Sequence, residues 1–155
     1  MQTSETCSEA QFKVTTADLN DLGILFGGKT LAELDRHLAD AVRKITAHRF
    51  VTGSVDKVRF LRPGQLNEML TVTAFVSGTQ ERVAEVFGRV YNAKHELLAY
   101  AFFTYVLLNK QARFPAVVAV SDFEKALATN FKQRQQTSLT SHLAVQNWLA
   151  KEKQA

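Results

Sequence analysis

The hydrophobic residues of this chain first repeat at helical spacing and later at strand spacing. Between residues 30 and about 47, apolar side chains recur every three or four positions, which predicts one long helix whose opposite side is polar and includes Glu33. Four later segments are rich in Val, Thr, Phe and Tyr, and each predicts a strand. These segments are residues 50–61, 68–76, 82–91 and 97–108. A shorter alternation over residues 10–15 predicts one more strand ahead of the helix.

The connections between these segments define the expected fold. Turn residues at 78–79 and at 92–96 make the last three strands antiparallel neighbours, whereas residues 62–65 form a longer crossing. The last strand is nearly all apolar, which is typical of a strand inside a sheet or covered on both faces. The alternation around Asp56 is disturbed, which indicates a β-bulge or a change of the buried face. We therefore expect an α+β protein in which a curved antiparallel sheet of about five strands wraps around one long helix. Because such a sheet leaves an edge and a face uncovered, we also expect dimers.

The C-terminal region predicts additional helix. Residues 121–124 have the sequence of a capping box and are followed by apolar residues at helical spacing, which predicts a short helix. Residues 141–151 follow the polar stretch 133–136, and we expect them to form an oligomer contact or to be partly disordered. The chain then divides into a flexible N-terminus over residues 1–9, one domain over residues 10–118 and a C-terminal helical extension over residues 119–155.

Composition narrows the class of protein. The chain has 155 residues, of which 46% are hydrophobic and 22% charged, so it suits one globular domain and not a disordered, collagenous or disulfide-rich chain. Its one cysteine, Cys7, lies in a polar segment that lacks the features of a secretory signal, and no apolar run reaches the roughly 20 residues of a membrane helix. We expect a cytoplasmic protein without a membrane partner. The net charge of +4 is dispersed and suits an anionic small molecule at least as well as nucleic acid, so the charge alone does not decide the ligand. The aromatic residues of the last strand lack interleaved Lys and Arg, so we expect no nucleic acid.

One charged residue interrupts the apolar stripe of the predicted helix. Asp35 lies four positions after Leu31 and three before Leu38, and no residue three or four positions away is a cation. A carboxylate there needs a partner from elsewhere in the fold, since its charged form is otherwise disfavoured. On pattern alone, Asp35 is either a structural carboxylate paired with an arginine such as Arg59 or Arg62, or a reactive group.

Two motifs on either side of Asp35 carry a resemblance to a known family. Residues 18–28 read D-x-N-x-x-G-x-x-F-G-G, and residues 51–63 read V-T-x-x-V-D-x-V-x-F-x-x-P. Together with F-T-Y-V at residues 103–106, this pattern resembles the hotdog-fold acyl-CoA thioesterases, in particular the cytosolic acyl-CoA hydrolase branch. The resemblance covers residues 12–115. The chain departs from the family pattern at Asn67 and at residues 79–81, and the second departure bears on the expected contacts with pantetheine.

The resemblance implies an acyl-CoA thioesterase that binds its substrate between the two subunits of a homodimer, with dimers assembling into a hexamer as a trimer of dimers. Asp35 corresponds to the catalytic carboxylate of the family, a general base or nucleophile. Asn20 corresponds to the loop amide of the family, which orients the water or the thioester carbonyl, and the two residues need not belong to one chain. CoA enters as part of the substrate, so we expect no separate cofactor, and no histidine pair has the spacing of a metal site.

The remaining candidates follow from the chemistry of thioester hydrolysis. Gly27 and Gly28 precede the predicted helix, where free backbone N–H groups could stabilise the oxyanion. Thr52 could hydrogen-bond the catalytic carboxylate or the water, while Arg59 and Arg62 could contact the phosphates of CoA. Each candidate also has an ordinary structural interpretation. The glycines could be only a helix entry, Thr52 only a strand residue, and the two arginines only solvated surface residues. Asn20 could be only a turn residue.

Rival functions stay open from the sequence. A non-catalytic protein that binds or senses acyl-CoA could use the same fold, and a thioesterase could act on carrier-protein thioesters instead of CoA esters. A hydratase on this fold is disfavoured, because that chemistry favours an Asp/His pair and residues 12–35 contain no histidine.

Overall fold

One five-stranded antiparallel sheet and two helices form the fold, and the computed structural model describes residues 1–154. The elements in chain order are β1 (Ser8–Lys13), α1 (Gly27–Arg43), β2 (Phe50–Phe60), β3 (Met69–Gln80), β4 (Val83–Tyr91), β5 (Leu97–Leu107) and α2 (Asp122–Glu152). Short 3₁₀ helices at Thr3–Thr6 and Thr16–Asp18 flank β1. The strand order across the sheet is β1-β3-β4-β5-β2. The expected α+β architecture is confirmed, and residues 1–9, expected to be flexible, carry a 3₁₀ helix and the start of β1.

Helix α1 packs its apolar stripe against the inner face of the sheet. Leu34, Leu38 and Val42 of this stripe are fully buried in the main core. The helix starts earlier than predicted, because the Phe26 carbonyl accepts the Thr30 N–H at 3.2 Å and so draws the two glycines into the first turn. It also ends earlier than predicted, because the Ile45 N–H bonds to the Val42 carbonyl at 3.0 Å in a tighter turn.

The strand connections agree with the sequence pattern in most places. Strands β3, β4 and β5 are antiparallel neighbours, and the apolar β5 lies inside the sheet between β4 and β2. The Asn92 side chain organises the β4–β5 turn by accepting the N–H groups of Lys94 and Glu96, both at 3.0 Å. The irregularity expected around Asp56 is confirmed, because the β2–β5 register shifts between Val55 and Lys57.

The predicted turn at residues 78–79 is wrong. Strand β3 continues to Gln80, and the turn to β4 uses Glu81, whose φ is 54°. Gly78 lies within the strand, where a Cβ would come within 2.5 Å of the Phe131 ring of α2. The glycine therefore serves close packing with a distant helix, which a local turn signal does not distinguish from a turn.

Helix α2 is one continuous helix of 31 residues, longer than the short helix expected, and it includes residues 141–151. Its predicted capping box is confirmed, since the Ser121 hydroxyl accepts the Glu124 N–H and the Glu124 carboxylate accepts the Ser121 N–H. Its first half covers the outer face of the sheet, where Leu127 packs on a buried aromatic cluster. That cluster consists of Phe75, Phe87 and Phe102. Neither helix of the described chain combines the length and hydrophobicity that a bilayer span requires.

Candidate active site

Asp35 and Thr52 meet at an exposed position between α1 and β2. Helix α1 carries Asp35 to the border of its apolar stripe, and the Thr52 hydroxyl of β2 donates a hydrogen bond to Asp35 Oδ1 at 2.8 Å. The expected arginine partner is not there: Arg62 pairs with Glu96 at 3.5 Å, and no cation in residues 1–154 lies within 4.0 Å of Asp35. The interpretation of Asp35 as a structural carboxylate paired with Arg59 or Arg62 is therefore wrong.

A groove of about 350 Å³ surrounds this carboxylate. It is lined by Asp35, Arg36, Ala39, Arg43, Phe50, Val51, Thr52 and Tyr105. The Tyr105 hydroxyl lies 3.5 Å from the Asp35 carbonyl oxygen. Burial raises the pKa of Tyr105 well above the ordinary value of a phenol, and the negative charge of Asp35 adds to this effect. Tyr105 therefore stays neutral at any physiological pH and offers a hydroxyl instead of a charge.

The motif at residues 103–106 includes Tyr105, but the sequence did not identify Tyr105 as a neighbour of Asp35. The pairing of β2 with β5 contains the information needed to find this neighbour, because Tyr105 of β5 pairs directly with Thr52 of β2. Residues paired across antiparallel strands point to the same face, so the position of Thr52 next to α1 implies the same for Tyr105. Finding it required the pairing register, which bulges in β2 obscure in the sequence.

Asn20 lies in the loop that precedes α1, and its side-chain oxygen organises that loop. Asn20 Oδ1 accepts the N–H groups of Leu22 at 3.0 Å and Ile24 at 3.4 Å, as the turn interpretation expects. The side-chain NH₂ donates to no acceptor within residues 1–154. The turn role thus uses only the oxygen and leaves the NH₂ group to donate to a ligand.

The two glycines are the first residues of α1, whereas the sequence had predicted that they lie before the helix. At this position their N–H groups have no helical acceptor, and Phe26, the N-cap residue, offers no side-chain acceptor. A Cβ on Gly28 would lie 2.3 Å from the Phe26 ring, so this ring occupies the space beside the second glycine. Gly27 is more open, since a Cβ there would meet Phe60 at an ordinary 3.5 Å.

The predicted site residues line three different grooves of the single chain. Asn20 and Gly28 share a groove of about 500 Å³. Gly27 and Arg62 share another of about 270 Å³, and neither of these grooves includes Asp35. Arg59 is exposed and lines none of the three. One chain therefore brings Thr52 to Asp35 but does not bring Asn20 into the same groove.

A buried charge network that the sequence did not predict supports the Asn20 loop. Glu33 was expected on the polar side of α1, yet it is 3% exposed and pairs with Lys29 at 2.7 Å. Lys29 also reaches Asp18 at 3.6 Å, so the network joins the first turns of α1 to the loop. Burial alone would raise the pKa of Glu33, but the hydrogen bond and charge of Lys29 outweigh it and lower the pKa. The backbone N–H and hydroxyl of Thr15, followed by Lys29, lower the pKa of Asp18.

Comparison with known proteins identifies the class. Residues 22–99, half of the chain, match the family model of the thioesterase superfamily, and the chain belongs to this superfamily. It is 28% identical over 148 residues to YkhA of Bacillus subtilis, described as an uncharacterized acyl-CoA thioester hydrolase, and the match covers 86% of each chain. The expectation of a thioesterase is confirmed.

Solved structures share the whole fold. An acyl-CoA hydrolase from Staphylococcus aureus, solved with butyryl-CoA, CoA and CoA disulfide, is 26% identical with a TM-score of 0.90 and covers 100% of this chain and 97% of its own. A hexameric acyl-CoA thioesterase is also 26% identical, with a TM-score of 0.84 and coverage of 92% of this chain and 96% of its own. The expected hotdog fold, including the C-terminal helix, is confirmed.

Proposed function

We propose that this chain hydrolyses acyl-CoA thioesters to a free carboxylic acid and CoA. The observation that carries the proposal is the Asp35 carboxylate, which faces a groove and is held by Thr52 at 2.8 Å in a chain of the thioesterase superfamily. Thioester hydrolysis needs a carboxylate of this kind, either to activate water or to attack the carbonyl carbon.

The spacing of three residues supports this assignment. The S. aureus hydrolase has also been solved as three alanine variants, at an asparagine, an aspartate and a threonine, which lie 15 and 17 positions apart in that order. Asn20, Asp35 and Thr52 lie 15 and 17 positions apart in this chain. The same residue types at the same separations support a common role for the three side chains.

The geometry suggests how the carboxylate works. Thr52 holds Oδ1, and no group in the described chain bonds to Oδ2, so Oδ2 is the oxygen free to react. As a general base, Asp35 takes a proton from water while the water oxygen attacks the thioester carbon. The C–S bond then breaks, and the departing sulfur takes up that proton to give CoA and the acid. As a nucleophile, Oδ2 itself forms an acyl anhydride, releases the CoA thiolate, and the anhydride is then hydrolysed by water.

The separated grooves support a site shared between subunits. A second copy of the chain would bring its Asn20 and the N–H group of Gly27 or Gly28 to the Asp35 groove of the first. In that arrangement the backbone N–H donates to the oxyanion, and the Asn20 NH₂ donates to the carbonyl or the water. A dimer is thus the smallest active unit, and we propose a hexamer by analogy with the hexameric relative.

The proposed reaction uses water and the side chains of the protein, so it requires neither a metal nor a cofactor besides the CoA of the substrate. Arg62, beside Gly27 and close to the helix start, suits the phosphates of CoA, and Arg59 is the weaker candidate. The proposed location is the cytoplasm, and the proposed partners are acyl-CoA and further copies of the chain.

The test is thiol release from a panel of short, long and aromatic acyl-CoAs, with Cys7 blocked to suppress background. We expect Asp35→Asn to lower kcat by about 10²–10⁴-fold. The control is Asp122→Asn, which changes an exposed carboxylate at the start of α2 and should leave kcat unchanged. Full turnover by Asp35→Asn would remove this residue from the mechanism. A wild-type protein that binds CoA esters without turning them over would favour the binding module, and turnover confined to acyl carrier protein would favour carrier-protein thioesters.

A further inference from the structure

Strand β2 carries two bulges next to the candidate active site. Thr52 pairs with Tyr105, but Ser54 already pairs with Thr104, so Gly53 is an extra residue in β2. The same shift recurs between Val55 and Lys57, where Asp56 is the extra residue. Each extra residue reverses the face to which the following side chains point, and the second bulge therefore restores the alternation that the first one interrupts.

The two reversals place polar groups on opposite faces of one strand. Thr52, before the first bulge, lies on the inner face with Tyr105 and reaches Asp35. Between the bulges, Ser54 lies opposite Thr104 and faces α2 on the outer side. Without the bulges, strict alternation would put residues 52, 54 and 56 on the same inner face.

Three hydroxyl groups hold the carboxylate at the second bulge. Asp56 Oδ1 accepts the hydroxyl of Ser54 at 2.8 Å and the hydroxyl of Ser138 at 2.6 Å. Asp56 Oδ2 accepts the hydroxyl of Thr104 of β5, and Gln135 of α2 donates to that same hydroxyl at 3.1 Å. The bulge is thereby fastened to its own strand, to the neighbouring strand and to helix α2.

The first bulge lies close against β5, where only a glycine fits without displacing a neighbour. A Cβ on Gly53 would come within 2.8 Å of the Val106 side chain and within 3.4 Å of the Thr104 carbonyl oxygen. The backbone at Gly53 is therefore packed closely against β5, three residues before the second bulge.

We infer that Asp56 is a positioning residue for the reaction, acting through Thr52 on Asp35, and that α2 takes part in this positioning through Ser138. The inference rests on the proposed function. The carboxylate of Asp56 keeps both bulges in register, and the register keeps the Thr52 hydroxyl at hydrogen-bond distance from Asp35. The long C-terminal helix is thus mechanically connected to the catalytic carboxylate, although it lies on the other side of the sheet.

The test compares four variants in the assembled enzyme. Asp56→Ala should lower kcat about tenfold with KM within about twofold, because the loss concerns the reacting carboxylate and not the substrate contacts. Ser138→Ala should lower kcat about threefold, and it tests the same link if Asp56→Ala does not fold. Ser141→Ala is the matched control, since this serine lies three residues further along α2 and lines the same groove as Asp56 and Ser138. Its side chain makes no hydrogen bond within residues 1–154. Thr52→Val removes the hydroxyl that transmits the effect.

A double-mutant cycle distinguishes positioning from general destabilisation. If Asp56 acts through Thr52, adding Asp56→Ala to Thr52→Val should change kcat less than twofold further. An equal loss in both backgrounds overturns the inference, as does a loss for Ser141→Ala equal to that for Ser138→Ala. A crystal structure of Asp56→Ala should place Thr52 Oγ1 more than 3.5 Å from Asp35 Oδ1, and a retained separation of 2.8 Å overturns the inference even if no substrate is turned over. Failure of the proposed function is recognised separately, by unchanged turnover in Asp35→Asn.

Discussion

The buried ion pair between β4 and α2 gives a prediction whose size follows from its geometry. Glu85 is completely buried, and Arg134 donates two hydrogen bonds to it, from Nε to Oε2 at 2.9 Å and from Nη2 to Oε1 at 2.6 Å. Ser77 adds a third at 2.6 Å, and the guanidinium lies 4.4 Å from the centre of the Phe102 ring. Arg134→Met keeps the aliphatic stem but leaves a buried carboxylate without its cation.

Breaking one side of a buried ion pair costs about 3–5 kcal/mol. The lower end applies here, because the Arg134 side chain is 21% exposed and water can partly replace it. A loss of about 3 kcal/mol lowers Tm by about 6–12 °C in a chain of this length. The double variant Glu85→Leu/Arg134→Met should recover most of that loss, since no charge then remains in the interior.

The measurement is thermal and urea unfolding followed by circular dichroism at one fixed protein concentration, because the stability of an oligomer depends on concentration. Gel filtration of each variant checks that the assembly is unchanged. The reasoning is refuted if Arg134→Met stays within about 1 kcal/mol of the wild type, or if the double variant is no more stable than the single one.

Two further predictions concern the shared site and its support. Asn20→Ala and Asp35→Asn should each lower the rate, and mixing the two kinds of subunit should restore about a quarter of the wild-type rate, since half of the dimers are hybrids and each hybrid has one intact site. No recovery after verified subunit exchange would place both residues in one chain's site. Glu33→Gln should destabilise the protein by about 2 kcal/mol at pH 7, because Lys29 loses a charged partner. Since the pKa of Glu33 is lowered in the folded protein, this difference should be complete above the ordinary value of 4.5 and shrink as the pH falls below it. Melting curves from pH 7 to pH 3 measure the difference, and a constant gap would contradict the assigned role.

Local patterns in the sequence determined the architecture and the central catalytic candidate. A helical period of 3.6 and a strand period of 2 can be read from neighbouring residues, so α1, the antiparallel strands and the capping box of α2 were predicted. The hydrogen bond between Thr52 and Asp35 was one of two alternatives that the sequence offered for this hydroxyl, the other being a bond to the water. The role of Asp35 as base or nucleophile stays a prediction.

Only the tertiary structure decided the features that depend on residues distant in the chain. Gly78 reads as a turn residue until Phe131 is packed on it. Lys29 and Glu33 lie four residues apart on α1, but the contact of Lys29 with Asp18 of the preceding loop depends on the fold. The length of α2 likewise depends on the sheet, since the polar stretch 133–136 supplies the arginine that binds Glu85. In each case the local sequence sets a preference for one backbone conformation of about 1 kcal/mol. Packing and pairing with a remote partner contribute more to the stability of the fold and override that preference.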